Sequence, residues 1–366
     1  MSYEYGNARL RAMKSRLLTG RDYQALVGSG TLERLLTALT RTPYAESIEA
    51  TLVRGGELVA INSAFSHNLL ATVRKIRRFF EEPERQLVAA VLRIYDIHNA
   101  KAVLRGLENH VPPGEIRATH LPVGDLSDDI LAELATAPDP RTAIDLMASM
   151  RLPLARALLT TRTKHPNAEI PEFELALDRW YFENAFAELD DGPQGADDLK
   201  AALELEADLI NVLTVLRLAQ SPADMLSYLE RFGADSLQEL FVGPGRLPFD
   251  VLAQAADQSS LEAAVHHLGN TPYGRVLVSG LDTYYHSQRL SDFERQLLRY
   301  RLKWRAGLIR KDPLGIGVLL GYLALKINEI GNLRWVTYGI NSGLPSDMLV
   351  DELELVDEQI TRDRSS

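Results

Sequence analysis

The sequence predicts an all-α protein, and three observations carry that reading. Apolar residues recur at spacings of three and four over long stretches, no segment sustains β-branched alternation, and one polar motif at helical spacing returns three times. The motif is Asp96-x-x-Asn99, followed by Val103, Leu104 and Arg105. It returns as Asp208-x-x-Asn211, followed at the same offsets by Val215, Leu216 and Arg217. A looser third copy is Glu329-x-x-Asn332, where Tyr338 stands in place of the arginine. After each copy come a proline and an apolar position: Pro112 and Ile116, Pro222 and Leu226, Pro345 and Leu349. Threefold internal repetition in a chain of this kind points to a built object, such as a ring or solenoid, rather than to a single catalytic cleft.

Along the chain, Leu58, Ile61, Phe65, Leu69, Val73, Ile76 and Phe79 form one apolar stripe and predict a long helix. Pro83 is expected to break it. A second long helix starts near Glu84 and carries Val88, Leu92, Tyr95, Asn99 and Val103. Short helices are punctuated twice in the same way. Leu32-Glu33, Leu39 and Thr42-Pro43-Tyr44 recur with identical spacing as Leu261-Glu262, Leu268 and Thr271-Pro272-Tyr273. Thr31 and Ser260 are the expected N-caps, each with an acid in the first turn. Thr42-Pro43 and Thr271-Pro272 read as cap and first-turn proline of the following helix. The middle copy keeps only Pro153, between Leu152 and Leu154. A third marker pairs Leu177-Asp178-x-x-Tyr181 with Leu281-Asp282-x-x-Tyr285 and with Ile61-Asn62-x-x-Phe65. Only residues 112–123 and 335–340 leave room for a short strand. The copies are placed at residues 1–115, 116–226 and 227–366, the last with an insertion between Tyr285 and Glu329.

The chain has 366 residues, 46% of them hydrophobic, which suffices for two or three units with their own cores. A net charge of −10 argues against nucleic acid, whose phosphates need a basic field. The absence of cysteine excludes disulfides, zinc–thiolate sites and thiol nucleophiles, and fits a cytoplasmic protein. The N-terminal residues lack the apolar core of a signal peptide. The longest mostly apolar run, residues 314–325, is shorter than the roughly 20 residues of a spanning helix. A soluble protein, or one peripheral to a membrane, is expected.

Asp96, Asn99 and Val103 share one helix face, as do Asp208, Asn211 and Val215. Together with Glu329 and Asn332 they read as a buried hydrogen-bond clamp between helices, because buried polar groups must find partners. One carboxylate per copy is too sparse for a hard cation. Gly315-x-Gly317-x-x-x-Gly321 lacks the preceding strand of a dinucleotide site; Pro313 reads instead as a helix start, with the glycines allowing close packing. No histidine has ligand spacing, and no serine sits in a Gly-x-Ser-x-Gly elbow. No catalytic, cofactor or metal residue is nominated. Two basic clusters stand out on an acidic chain: Arg9, Arg11, Lys14 and Arg16, and then Arg74, Lys75, Arg77 and Arg78. Each is either a solvated helix face or a docking patch for an acidic protein or lipid head groups.

These residues resemble the central-stalk subunit of archaeal- and vacuolar-type rotary ATPases, the C subunit of the archaeal and bacterial enzymes and the d subunit of the vacuolar ones. The resemblance covers nearly the whole chain. It is carried by Tyr5-Gly6-Asn7-Ala8-Arg9-Leu10-Arg11, Tyr95-Asp96-x-x-Asn99-Ala100-Lys101 and Leu177-Asp178-x-x-Tyr181-Phe182, then by Asp312-Pro313-Leu314-Gly315, Gly321-Tyr322, Lys326-x-x-Glu329-x-x-Asn332-Leu333-Arg334 and Gly343-Leu344-Pro345. It implies an all-helical funnel of three domains related by a pseudo-threefold axis, with no active site and no cofactor. It also implies two partners: a membrane ring of proteolipid subunits, and a central shaft of D- and F-type subunits. The alternative is a free-standing helical-repeat scaffold, or an all-α enzyme whose site is not recognisable.

Overall fold

Every regular element among the described residues of the computed structural model, 3–51, 56–82, 84–190 and 196–356, is a helix. The first eight are α1 (Glu4–Lys14), α2 (Gly20–Val27), α3 (Leu32–Leu39), α4 (Ala45–Thr51), α5 (Glu57–Arg77), α6 (Glu84–Glu108), α7 (Pro113–Thr119) and α8 (Asp128–Leu134). Then come α9 (Pro140–Ser149), α10 (Ala155–Lys164), α11 (Ile170–Asp190), α12 (Asp197–Gln220), α13 (Met225–Phe232), α14 (Phe249–Ala256) and α15 (Leu261–His267). The last four are α16 (Gly274–Ser287), α17 (Ser291–Lys311), α18 (Gly317–Asn341) and α19 (Ser346–Asp351).

The same order of elements recurs three times. Two short helices come first, with N-cap positions twelve residues apart: Thr19 and Thr31, Ser127 and Asp139, Pro248 and Ser260. Five of these six side chains accept a backbone N–H of the first turn, and proline, with no side-chain acceptor, is the exception. Thr19 and Asp22 form a reciprocal capping box. Each series ends in a helix of 21 residues, α5, α11 or α17, followed by one of 24 or 25, α6, α12 or α18.

Several local expectations change. Residues 112–119 are not strand: Pro113 opens α7, where its missing N–H is harmless. Residues 335–340 lie in α18, whose Val336, Thr337 and Ile340 are buried. Trp335 and Tyr338 are exposed, and the run of aromatic and β-branched residues on this helix mimics a strand in sequence. Thr42 and Thr271 do not cap the next helices. Each hydroxyl donates to a carbonyl three residues back, Leu39 O or Leu268 O, at 2.6 Å. Each also accepts the N–H of Tyr44 or Tyr273, making a hydroxyl turn around the proline. Pro313 lies in the turn before α18 and not at its start. Leu281-Asp282-x-x-Tyr285 falls on α16, whereas Leu177 and Ile61 lie on the 21-residue helices α11 and α5. The stretch expected as an insertion is α17. Pro83 lies outside the described residues.

The chain divides into two compact units, a partition different from the three copies. Residues 1–102, 111–135 and 302–366 form the first, and residues 103–110 and 136–301 the second. In the first unit Leu18, Tyr23, Leu35, Leu39, Tyr44, Ile61 and Phe65 pack with Ile330, Leu333 and Val336 of α18. In the second, α12 buries Leu199, Leu203, Val212, Val215 and Leu216, and is apolar on most sides. No helix among the described residues is long and apolar enough to cross a membrane.

Candidate functional site

The three Asp/Glu-x-x-Asn motifs lie on the three longest helices, α6, α12 and α18, and all six side chains are buried. Each asparagine grips one residue of a following loop by both backbone groups. Asn99 Nδ2 donates to Leu121 O and its Oδ1 accepts Leu121 N–H, both at 2.8 Å. Asn211 does the same to Val242, at 3.0 and 2.8 Å. Asn332 does the same to Glu354, at 2.9 and 3.1 Å.

The acids complete the clamps. Asp96 accepts N–H groups of Asp125 and Leu126 at 2.8 and 3.0 Å. Asp208 accepts those of Arg246 and Leu247, both at 3.1 Å. The residue after each leucine is the N-cap Ser127 or the N-cap position Pro248, so the acid sets the start of α8 or α14. Glu329 reaches back along the chain instead. Its Oε2 accepts Leu18 N–H at 2.5 Å, one residue before the cap Thr19 of α2. The partner of each clamp is therefore loop backbone, not the second helix that the sequence led one to expect.

Two of the acids are also held by tyrosines of the Thr-Pro-Tyr turns. Tyr273 Oη donates to Asp208 Oδ2 at 2.6 Å, and Tyr44 Oη to Glu329 Oε1 at 2.8 Å. Lys326 Nζ joins the second group, 2.8 Å from Glu329 Oε1 and 2.9 Å from Tyr44 Oη. Burial and the neighbouring carboxylates push both tyrosine hydroxyls far above their ordinary range, so they remain donors. Asp96 has no such tyrosine among its described partners. Burial lifts its carboxyl to about 6, against the opposing pull of the two loop N–H groups. Burial also raises Asp208, and the Tyr273 hydroxyl restrains it.

Two glycines mark the clamped loops, and sequence reading missed them. A Cβ on Gly124 would stand 2.1 Å from Asp96 Oδ1, and one on Gly245 1.9 Å from Asp208 Oδ1. Gly124-Asp125-Leu126 and Gly245-Arg246-Leu247 were the available signal. Before Leu18 the matching position is Arg16, opposite the longer Glu329.

The basic clusters divide by role. On α1, Gly6 leaves room for the Phe80 ring, 2.4 Å from where its Cβ would be. Asn7 Nδ2 donates to Pro313 O and Gly315 O at 3.1 and 2.9 Å. The glycine run thus serves as a docking point for α1. Arg9 lies over the rings of Tyr5 and Phe79, 5.8 and 5.6 Å from their centroids. Arg11 donates to Pro313 O at 3.2 Å; Lys14 is partly buried, and Arg16 is exposed. On α5 and just after it, Arg74, Lys75 and Arg78 are exposed. Arg77 turns inward and donates to Val123 O and Gly124 O at 3.2 and 2.9 Å, so it belongs to the Asp96 clamp. Through Arg9 and Phe79 the two clusters meet.

The model of the ATP synthase (C/AC39) subunit family matches residues 6–352, a span that holds all six motif residues. The chain belongs to that family. Among curated AC39 relatives, the A-type ATP synthase C subunit of Methanosarcina barkeri is 26% identical over 361 residues, covering 97% of this chain and 93% of the relative. The A-type C subunit of Haloferax volcanii is 26% identical over 353 residues, covering 96% of this chain and 97% of the relative. The V-type ATP synthase C subunit of Deinococcus radiodurans is 24% identical, covering 96% of this chain and 91% of the relative. The AC39 match also takes in the clamp glycines and most of α1, from Gly6 through Arg9 to Lys14.

Proposed function

We propose that this AC39-family chain is the non-catalytic adaptor of a rotary ATPase or ATP synthase, joining the central shaft to the membrane ring of proteolipid subunits. The observation that carries the reading is the clamp built three times on three long buried helices in a chain of this family. A part that transmits torque must hold its shape under load. Two-way asparagine and carboxylate grips on loop backbone fix helix starts, and so stiffen the structure where a short loop would otherwise give way. Three domains framed by the paired caps, arranged as a funnel, would offer similar surfaces to a ring of many like subunits. Their shared concavity would seat one shaft of D- and F-type subunits. The chain would act at the cytoplasmic face, peripheral to the membrane, and drive ion transport by coupling it to ATP turnover.

The test is reconstitution of the complex with and without this chain. Omission is expected to abolish ATP-driven ion pumping while hydrolysis by the catalytic head survives. A complex that stays coupled without it, or a purified chain that turns over ATP alone, would falsify the reading.

A further inference from the structure

Tyr5, Arg9, Arg16, Arg74, Lys75 and Arg78 are exposed and belong to two segments joined by the aromatic contacts Tyr3–Phe80 and Tyr5–Phe79. Tyr5 and Phe79 meet edge to face at 6.2 Å, and Arg9 lies over both rings. On α1, Tyr5, Arg9 and Ala12 follow helical spacing and form an exposed stripe, opposite the buried Gly6, Asn7 and Leu10, and the exposed Arg16 follows in the turn after the helix. On α5 and its C-cap, Arg74, Lys75 and Arg78 form another, opposite Leu69, Val73 and Ile76. Lys75 stands one turn before Phe79, which ties the stripes into one surface. Exposed carboxylates near it are Glu4, Glu81 and Glu82, so cations outnumber them on a chain whose net charge is −10.

We propose that this surface binds the phosphate headgroups of an anionic lipid bilayer. Its centre is Tyr5, a residue 61% exposed, flanked by guanidinium and ammonium groups. That is the chemistry of a membrane interface, where rings lie at headgroup depth and arginine or lysine heads meet phosphate. A guanidinium lying over a ring keeps its N–H edge for phosphate oxygens. The stripes are outer faces of helices, not a groove. A deformable headgroup layer fits such a face, whereas peptide recognition uses a groove or a sheet edge. The inference is independent of the adaptor reading: a rotor adaptor that never touches lipid would fail the test below and still couple its complex.

Full-length protein is mixed with vesicles of phosphatidylcholine alone, or of equal parts phosphatidylcholine and phosphatidylglycerol, and binding is read by flotation. Binding to the anionic vesicles only is expected, with loss at about 1 M salt, where the screening length falls to roughly 3 Å. R74Q/K75Q/R78Q is expected to weaken it about a hundredfold, each cation near an anionic surface contributing about fivefold. R9Q/R16Q on the other stripe should weaken it as well, which guards against misfolding of either variant. Arg156→Gln with Lys164→Gln, exposed cations of the second unit, should leave it unchanged. Equal binding to neutral vesicles, or equal loss in the control variant, overturns the proposal. Capture by polyglutamate without vesicle binding also overturns it, and assigns the surface to an acidic protein.

Discussion

Tyr273 donates its hydroxyl to Asp208 at 2.6 Å across 65 residues of chain, joining two repeated motifs into one buried group. Tyr44 and Glu329 form the same pair across 285 residues. In two of the three copies the turn completes the motif, while Asp96 is held by loop N–H groups.

Removing the hydroxyl tests that link. Tyr273→Phe and Tyr44→Phe are each expected to lower stability by about 1.5–3 kcal/mol, the range for a hydrogen bond to a charged acceptor. Chemical denaturation of the full chain measures it. Variants as stable as wild type would mean that the loop N–H groups alone satisfy the acids.

Asn211→Leu should cost roughly 1–3 kcal/mol, because both backbone groups of Val242 lose their partner in a buried setting. Asn99→Leu should cost a similar amount through Leu121. A melting temperature unchanged in both variants would contradict the clamp.

Gly124→Ala and Gly245→Ala should each destabilise by about 1–3 kcal/mol, since the new methyl group would occupy the place of a carboxylate oxygen. Gly114→Ala meets open space and serves as the control. Equal effects at all three positions would show that chain flexibility, not the carboxylate, is responsible.

Acidification engages two groups of opposite sign in the first unit. His120 is buried, with no hydrogen-bond partner for either ring nitrogen among the described residues. Burial lowers it from 6.5 to about 4, with Arg117 and Arg334 adding to the shift and Asp128 opposing it. A depressed histidine contributes stability that is complete above 6.5 and lost as pH falls toward 4. Asp96, raised from 3.8 to about 6, contributes stability that is complete below 3.8 and lost as pH rises through 6. His120→Phe removes the first effect alone. It is expected to be neutral or stabilising near pH 7, and to shrink the acid-induced loss by about 1–3 kcal/mol in urea titrations. A variant with the wild-type slope would place the titration elsewhere.

The helical class and the six clamp residues were legible because both rest on spacing within one helix. Asp96 and Asn99 sit three apart, whatever they bind. Their partners were not legible. Nothing local to Leu121, Val242 or Leu18 marks a residue as gripped from another helix. The paired caps could have been read from Thr19 and Thr31 or Ser127 and Asp139, but Pro248 hides the third pair. The misread strand at 335–340 has a different cause: the buried face of α18 takes Val336, Thr337 and Ile340 while Trp335 and Tyr338 are exposed, a β-branched and aromatic run that carries no mark of backbone class. The basic clusters were visible as charge, yet only the fold separates Arg77, which holds a loop, from Arg78 beside it, which faces solvent.

Glu329 and Leu18 are 311 residues apart, and their contact sets a schedule for synthesis. At roughly 5–20 residues per second, a ribosome needs on the order of 15–60 s to make the second after the first. Throughout that interval Leu18, Tyr23 and Tyr44 lack Ile330, Leu333 and Val336, the apolar neighbours they bury against. The second unit, drawn from residues 103–110 and 136–301, has by then been synthesised entire. The unit begun first is thus the unit finished last, and its apolar surface stays uncovered until α18 is made.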